Sequence, residues 1–181
     1  MLGVYNAMQM DISRQQATIT LPEPQFSSEK AYRSYCNGLV AAYRESKPLA
    51  PATPTFAAHI NAIAQGGEMV IKTGWGGVDI VSYDHPNVEK FLVVESGKFL
   101  AFEKHDEKVE TLIGEEGLGV LVYRPEGSDS LKAECIQPGW TRTLQPGQEH
   151  TIIALSNLLV RERSIDPKGM DKDLIFLYMP S

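Results

Sequence analysis

From Gly67 onward the chain is a succession of short strand-like runs, and this pattern limits the fold more than any other feature. Runs rich in β-branched and aromatic residues fall at 68–73, 78–83, 90–95, 98–103, 109–113, 118–124, 130–136, 151–155, 158–162 and 174–178. Glycines and prolines punctuate them. Many short strands with turn signals every 8–12 residues or so predict a β-sandwich or a closed barrel. Ser96-Gly97, between two strong runs, reads as a tight hairpin turn. Glu115-Glu116-Gly117 and Glu126-Gly127-Ser128 are further turn signals.

The first third of the chain reads differently. Ser27 and Ser28 suit a helix N-cap and Glu29 suits the first turn. Tyr32, Tyr35, Cys36, Leu39, Val40 and Tyr43 then recur at the spacing of one buried helical face. Lys47-Pro48 ends that helix. A second, shorter helix is expected after Thr53 as cap and Pro54 at the first helical position, with Phe56, Ile60 and Ile63 on one side and a stop at Gly66-Gly67. Residues 17–21 read as a short arm strand. The expected organisation is therefore an arm and helices over 1–66 packing on a β-barrel over 67–181.

Charge and composition remove several function classes. A net charge of −6 with no basic run argues against a nucleic-acid surface. No apolar run is long enough to span a bilayer as a helix, so no membrane partner is expected. The N-terminal stretch has no basic segment leading into a long apolar one, so no secretory signal is expected. Cys36 and Cys135 lie far apart in apolar surroundings and read as free thiols of a reducing compartment, which points to a cytoplasmic protein. No phosphate-cradling loop and no nucleophile elbow is present: the glycine-rich Gly74–Gly77 precedes a strand rather than a helix.

The candidate chemistry sits in the stretch 77–97 and in a second turn, PGQEH, that carries His150. His85 and Glu89 flank a Pro86-Asn87 turn, at the end of one strand and the start of the next. Singly, neither His85 nor His150 marks a site; their joint spacing with Glu89 does. Two imidazoles and one carboxylate suit a divalent first-row metal and leave positions open for substrate or water. His59, on the short helix, reads as structural or exposed. His105, in the charged string EKHDEK, reads as a solvated turn residue. Trp75 and Trp140 flank the glycines of the two turns and read as pocket-mouth or packing aromatics.

At these residues the chain resembles the cupins. Their first motif runs G-x5-H-x-H-x(3,4)-E-x6-G. Gly77, Tyr83, His85, Glu89 and Gly97 follow it, with Tyr83 in place of the first histidine and one extra residue before the last glycine. Their second motif runs G-x5-P-x-G-x2-H-x3-N. Gly139, Gln145, Gly147, His150 and Ala154 follow it, with Gln145 for the proline and Ala154 for the asparagine. The resemblance covers about residues 68–178. It implies a mainly β fold, the double-stranded β-helix or jelly-roll barrel, here with an N-terminal helical region. It also implies His85, Glu89 and His150 as ligands of a divalent metal (Mn, Fe, Ni, Zn or Co), with Tyr83 and Glu89 as catalytic candidates. Tyr83 keeps several readings: a weak ligand, a hydrogen-bond donor to bound water, a general acid or base, or a filler of the barrel mouth. The activity implied is that of a metal-dependent enzyme on a small polar, carbohydrate-like substrate, of isomerase, epimerase or lyase type. The alternatives are an iron-dependent dioxygenase and a non-catalytic small-ligand-binding cupin. A homodimer is implied as well.

Overall fold

The structure, a computed structural model, describes residues 21–180. The arm expected over 17–21 lies, apart from Leu21, outside them. Helix α1 (Glu29–Ser46) begins where Ser28 Oγ accepts the Ala31 N–H at 3.2 Å, and Lys47, extended before Pro48, ends it. Helix α2 (Pro54–Gln65) begins where Thr53 Oγ1 accepts the Phe56 N–H at 3.1 Å, with Pro54 in its first turn.

The strands follow in order: β1 (Val70–Thr73), β2 (Gly76–Asp84), β3 (Asn87–Val94), β4 (Phe102–His105), β5 (Val109–Glu116), β6 (Gly119–Tyr123), β7 (Lys132–Ile136), β8 (Thr141–Leu144), β9 (His150–Ala154), β10 (Leu158–Ile165) and β11 (Leu174–Tyr178). Each of the ten expected runs overlaps a strand. The short, polar β8 was not expected. The strands form two antiparallel sheets, one ordered β1-β2-β3-β10-β5-β8 and the other β11-β4-β9-β6-β7. Their inner faces enclose a core of Val78, Leu92, Leu112, Leu121, Ile152 and Leu158 among others. The architecture is mainly β, with the expected N-terminal helices.

One expected turn is different in kind. Ser96-Gly97 does not close a hairpin but turns a corner between the sheets. β3 belongs to the six-stranded sheet, whereas the chain after Gly97 joins β9 in the other: the Leu100 N–H donates to Ile152 O at 3.0 Å and the Ala154 N–H to Lys98 O at 2.9 Å. Gly97 takes φ 79°, and a side chain there would run into Arg44.

Both outer faces are covered, which explains why β6 and β9 are buried along their whole length. α1 lays Tyr32, Cys36, Leu39, Val40 and Tyr43 on Val120, Val122, Ile153 and Phe102, outside the five-stranded sheet. α2 lays Phe56 and Ile63 on Val93 and Leu159, outside the six-stranded one. Fully burying one such aliphatic or aromatic side chain stabilises the fold by roughly 1.5–3 kcal/mol. His59 on α2 contacts Asp79 Oδ2 at 2.6 Å and packs on the Phe91 ring. Both cysteines are free, and Cys36 is buried under α1. Among the described residues, no helix is long and apolar enough to cross a membrane.

The period of two along each strand now assigns the inner face. On β3, Lys90 shares the inner face with Leu92 and Val94, while Glu89 shares the outer face with Phe91 and Val93. On β9, His150 lies in phase with inward Ile152 and Ala154. On β4, Phe102 packs outward under α1, so Glu103 and His105 turn inward. Glu110 on β5 and Glu162 on β10 are in phase with inward Leu112 and Val160.

Candidate functional site

These inward polar side chains meet in a cavity of about 660 Å³ between the sheets. An apolar wall that includes Trp75, Leu92, Leu112 and Ile152 surrounds a charged floor. Lys90, His105, Lys108, Glu110, His150 and Glu162 are each at most 5 % exposed. Glu103, half-buried, also faces the cavity and is the strand partner of His150. Buried charges survive only when paired, and here they form a network.

Glu110 is at its centre. His150 Nε2 lies 2.9 Å from Glu110 Oε1, Lys108 Nζ 2.8 Å from Glu110 Oε2, and His105 Nε2 4.0 Å from Glu110 Oε2. Glu110 Oε1 is buried and, among the described residues, has no donor near it other than the His150 ring. The other nitrogen of each ring is held from outside: His105 Nδ1 by Asp173 Oδ1 at 2.8 Å and His150 Nδ1 by Gln148 O at 3.1 Å. Asp173 also accepts the Glu107 and Lys108 N–H groups at 2.8 and 2.9 Å, which fixes the β4–β5 turn.

Burial would lower the His150 pKa, but the charge of Glu110, its contact with the ring, and Glu103 outweigh it and raise it to about 9. Burial pushes Glu103 up to about 7, with His150 acting against it and Glu110 with it. Glu110 is held well below the usual carboxylate range: burial opposes this, and the charges of Lys108 and His150 prevail. Lys108 is likewise held well above the ordinary lysine value by Glu110, Glu162 and Asp171, against burial.

Of the residues singled out in the sequence, His150 lines this cavity, and Tyr83, His85 and Glu89 do not. Glu89 points out of the six-stranded sheet, where Arg161 Nη1 and Arg163 Nη2 reach it at 3.3 and 3.5 Å. His85 is exposed in the β2–β3 turn, and Tyr83, 47 % exposed, places its ring 6.4 Å from it. Unbroken alternation would leave Tyr83 in the outward phase of Asp79; a β-bulge between Ile80 and Ser82 instead pairs it with Val88, in the inward phase, but at the far end of the sheet, beside Gly169 and beyond the cavity. His105, read as a solvated turn residue, is instead buried.

No protein-family model matches the sequence, and no curated relative does. Solved structures do match the fold. CapF, a capsular polysaccharide assembling protein from Staphylococcus aureus, superposes with a TM-score of 0.53 at 15% identity, over 61% of this chain and 32% of that one. Oxalate decarboxylase from Lactobacillus farciminis, solved as a formate complex, gives 0.51 at 13% identity, over 60% of this chain and 33% of that one. The matched part thus spans about a third of those proteins.

The chain has the cupin fold.

In this cupin barrel the first motif can be re-registered on the structure. The intervals G-x5-H-x-H-x4-E-x6-G recur one hairpin later as Gly97, Glu103, His105, Glu110 and Gly117. Every interval is kept, and only the first histidine is replaced, by Glu103. That signal was present in the sequence: one departure from the pattern, against two in the stretch from Gly77.

The cupin motif implies a divalent metal. Among the described residues, no three His, Cys, Asp or Glu side chains are gathered as a ready metal cage. The donor chemistry nevertheless fits one. Two imidazoles, each tied back through Nδ1, turn Nε2 towards a single carboxylate, and one buried oxygen of that carboxylate has, among the described residues, no donor other than His150. Outside partners of this kind are what orient metal-ligating histidines.

Proposed function

We propose that this cupin is a metal-dependent enzyme acting on a small polar molecule, with His105, Glu110 and His150 as its metal donors and Glu103 as the adjacent acid–base group. The observation that supports it is the convergence of two tied-back imidazoles on the Glu110 carboxylate, His150 on Oε1 and His105 towards Oε2, on the floor of a cavity of ligand size. In this reading the metal role belongs to the β4–β5 connection rather than to His85 and Glu89, and the catalytic role to Glu103 rather than Tyr83.

A bound divalent ion would supply a Lewis acid that polarises a carbonyl or hydroxyl oxygen. The chain's own residues do the rest. Glu103 stands where the motif carries its first histidine, faces the cavity and can hold or pass a proton at its carboxylate. Asp173 and Gln148 fix the two rings. Trp75, Leu92 and Ile152 exclude water from one side of the substrate. Proton transfer beside a polarised oxygen is isomerase, epimerase or lyase chemistry. The location we propose is cytoplasmic, and the assembly a homodimer.

The test is metal content. Purified protein is expected to hold close to one transition-metal ion per chain by plasma mass spectrometry, and His105→Ala is expected to abolish it. A metal-free wild type that takes up none of Mn, Fe, Co, Ni or Zn on titration would end this reading and leave a metal-free ligand-binding cupin.

A further inference from the structure

One wall of the cavity carries a closed ring of four charges, none of them a proposed donor, that meets the donor set where Lys108 Nζ lies 2.8 Å from Glu110 Oε2. Lys108 Nζ lies 2.6 Å from Glu162 Oε1 and 2.8 Å from Asp171 Oδ1. Lys90 Nζ lies 3.4 Å from Glu162 Oε2 and pairs directly with Asp171 Oδ2. Each carboxylate therefore bridges both ammonium groups, one oxygen to each.

Three members belong to the barrel frame. Lys90 is on β3, Lys108 in the β4–β5 turn and Glu162 on β10, with side chains only 4, 1 and 3 % exposed. Asp171 differs. It sits outside any strand, on the segment between β10 and β11, and its side chain is 26 % exposed. Its backbone is in the left-handed region at φ 58°, as is that of Met170 at 52°. Two successive non-glycine residues there are unfavourable and need external support. Asp166 provides it, its carboxylate accepting the Gly169 and Asp171 N–H groups at 2.9 and 2.8 Å. The carboxylate that closes the ring is thus the most accessible of the four and stands on a backbone that other residues must hold in place.

We propose that Asp171 occupies the place of a ligand carboxylate: Lys90 and Lys108 form a receptor for the carboxylate of a small hydroxy or sugar acid, and the 166–173 strap gives way when that acid binds. This deepens the functional reading above and rests on it, because Glu110 then also serves the metal. With the charge of Glu110 shared between the metal and Lys108, the frame leaves Glu162 as the one carboxylate that faces both buried ammonium groups. A further anion is required, since buried charges need partners. The bridging geometry suits the planar, two-oxygen carboxylate in particular. The cavity's size and mixed apolar and charged lining suit an acid of a few carbons. A tethered competitor lowers the apparent affinity of the free one by the fraction of time it holds the site.

Calorimetric titration decides this. Glycolate, D-gluconate and D-glucuronate are titrated into the full chain, with D-glucose and D-glucose 6-phosphate as the neutral and phosphorylated counterparts. At least one acid is expected to bind, and Asp171→Asn to bind it at least about tenfold more tightly, as removal of a competitor engaged most of the time requires. Asp171→Gly, which suits the left-handed backbone and also removes the carboxylate, is expected to do the same. Lys90→Met is expected to lose the acid. The inference is overturned if no acid binds the Asp171 variants, if their affinity equals that of the wild type, or if glucose or its phosphate binds as well as the acids. Metal content is measured on the same preparations. Asp171 and Lys90 lie outside the donor set, so acid binding without metal counts against the proposed enzyme and not against the receptor.

Discussion

The β2–β3 hairpin and the β4–β5 connection, whose strands do not pair, each carry a histidine and a glutamate at most five positions apart, beside a turn. They meet different surroundings. β2 and β3 are neighbours in one sheet, so the turn between them hangs at the sheet's end, and none of Tyr83, His85 and Glu89 beside it reaches the cavity. β4 and β5 belong to opposite sheets, so their turn crosses the barrel mouth. A connection of that kind brings side chains from both sheets to one cavity. Glu89 consequently meets Arg161 and Arg163 at the surface, whereas Glu110 meets Lys108, His105 and His150 in the interior. The same residue types become a solvated ion pair in one connection and a site in the other. Which sheets a connection joins decides between them.

The sharpest way to break this contrast is to remove one cation from each network. Lys108→Met strands Glu110, Glu162 and Asp171 in a buried setting and should lower unfolding stability by about 3–5 kcal/mol. Arg163→Met removes an exposed partner of Glu89 and should cost less than about 1 kcal/mol. Urea unfolding of both variants measures it. Equal losses would mean that the two networks are equivalent.

Metal affinity separates the two connections next. Glu110→Gln and His150→Ala are each expected to weaken divalent-metal binding at least about 100-fold, since loss of even an outer partner of a ligand commonly costs 10–100-fold. His85→Ala and Glu89→Gln should change it less than about twofold. Competition titration with a chromophoric chelator gives the numbers. The reverse ranking would restore the site to the β2–β3 turn.

Much of the fold was legible because its signals are local. The caps at Ser28 and Thr53, the stripe from Tyr32 to Tyr43 and the glycine-punctuated apolar runs each act within a few residues. The site was legible only in part, because motif spacing does not say which sheet a strand joins. The corner at Gly97 resembles a hairpin turn until the partner of Leu100 is known. Spacing puts Tyr83 and His85 on one face of β2 but does not say that this end of the strand lies beyond the cavity. The charged string around His105 looked solvated because isolated charges usually are; its partners Asp173, Asp171 and Glu162 lie more than fifty residues away. Asp171 itself stands in a segment with no periodicity at all.

Acid titration probes the interior network at its most accessible member. Burial works against the ionised form of Asp171, but Lys90 and Lys108 prevail and hold its pKa at about 2, below the ordinary 3.8. A carboxylate whose folded pKa is depressed adds stability above its unfolded value, and that stability is lost as pH falls through the folded one. The wild type should therefore exceed Asp171→Asn by about 2 kcal/mol at pH 5 and by progressively less towards pH 2, following the size of the shift. Denaturant midpoints at a series of pH values test it.

The smallest expected effect concerns the group behind the site. Asp173 holds His105 by Nδ1 and at the same time accepts two backbone N–H groups of the β4–β5 turn. Asp173→Asn keeps the size and one acceptor oxygen but removes the charge. If the carboxylate orients the ring for metal binding, affinity should fall by roughly tenfold, the lower range for losing such a partner, with little change in unfolding midpoint. If Asp173 only braces the turn, the midpoint should fall and the metal affinity of the folded protein should not. The outer hairpin offers the control: Asp79, which holds His59 in the same manner but outside the barrel, should leave metal affinity unchanged when replaced by Asn. Metal titration and thermal unfolding of the two variants side by side show whether a histidine–carboxylate pair matters for what it is or for the cavity it faces.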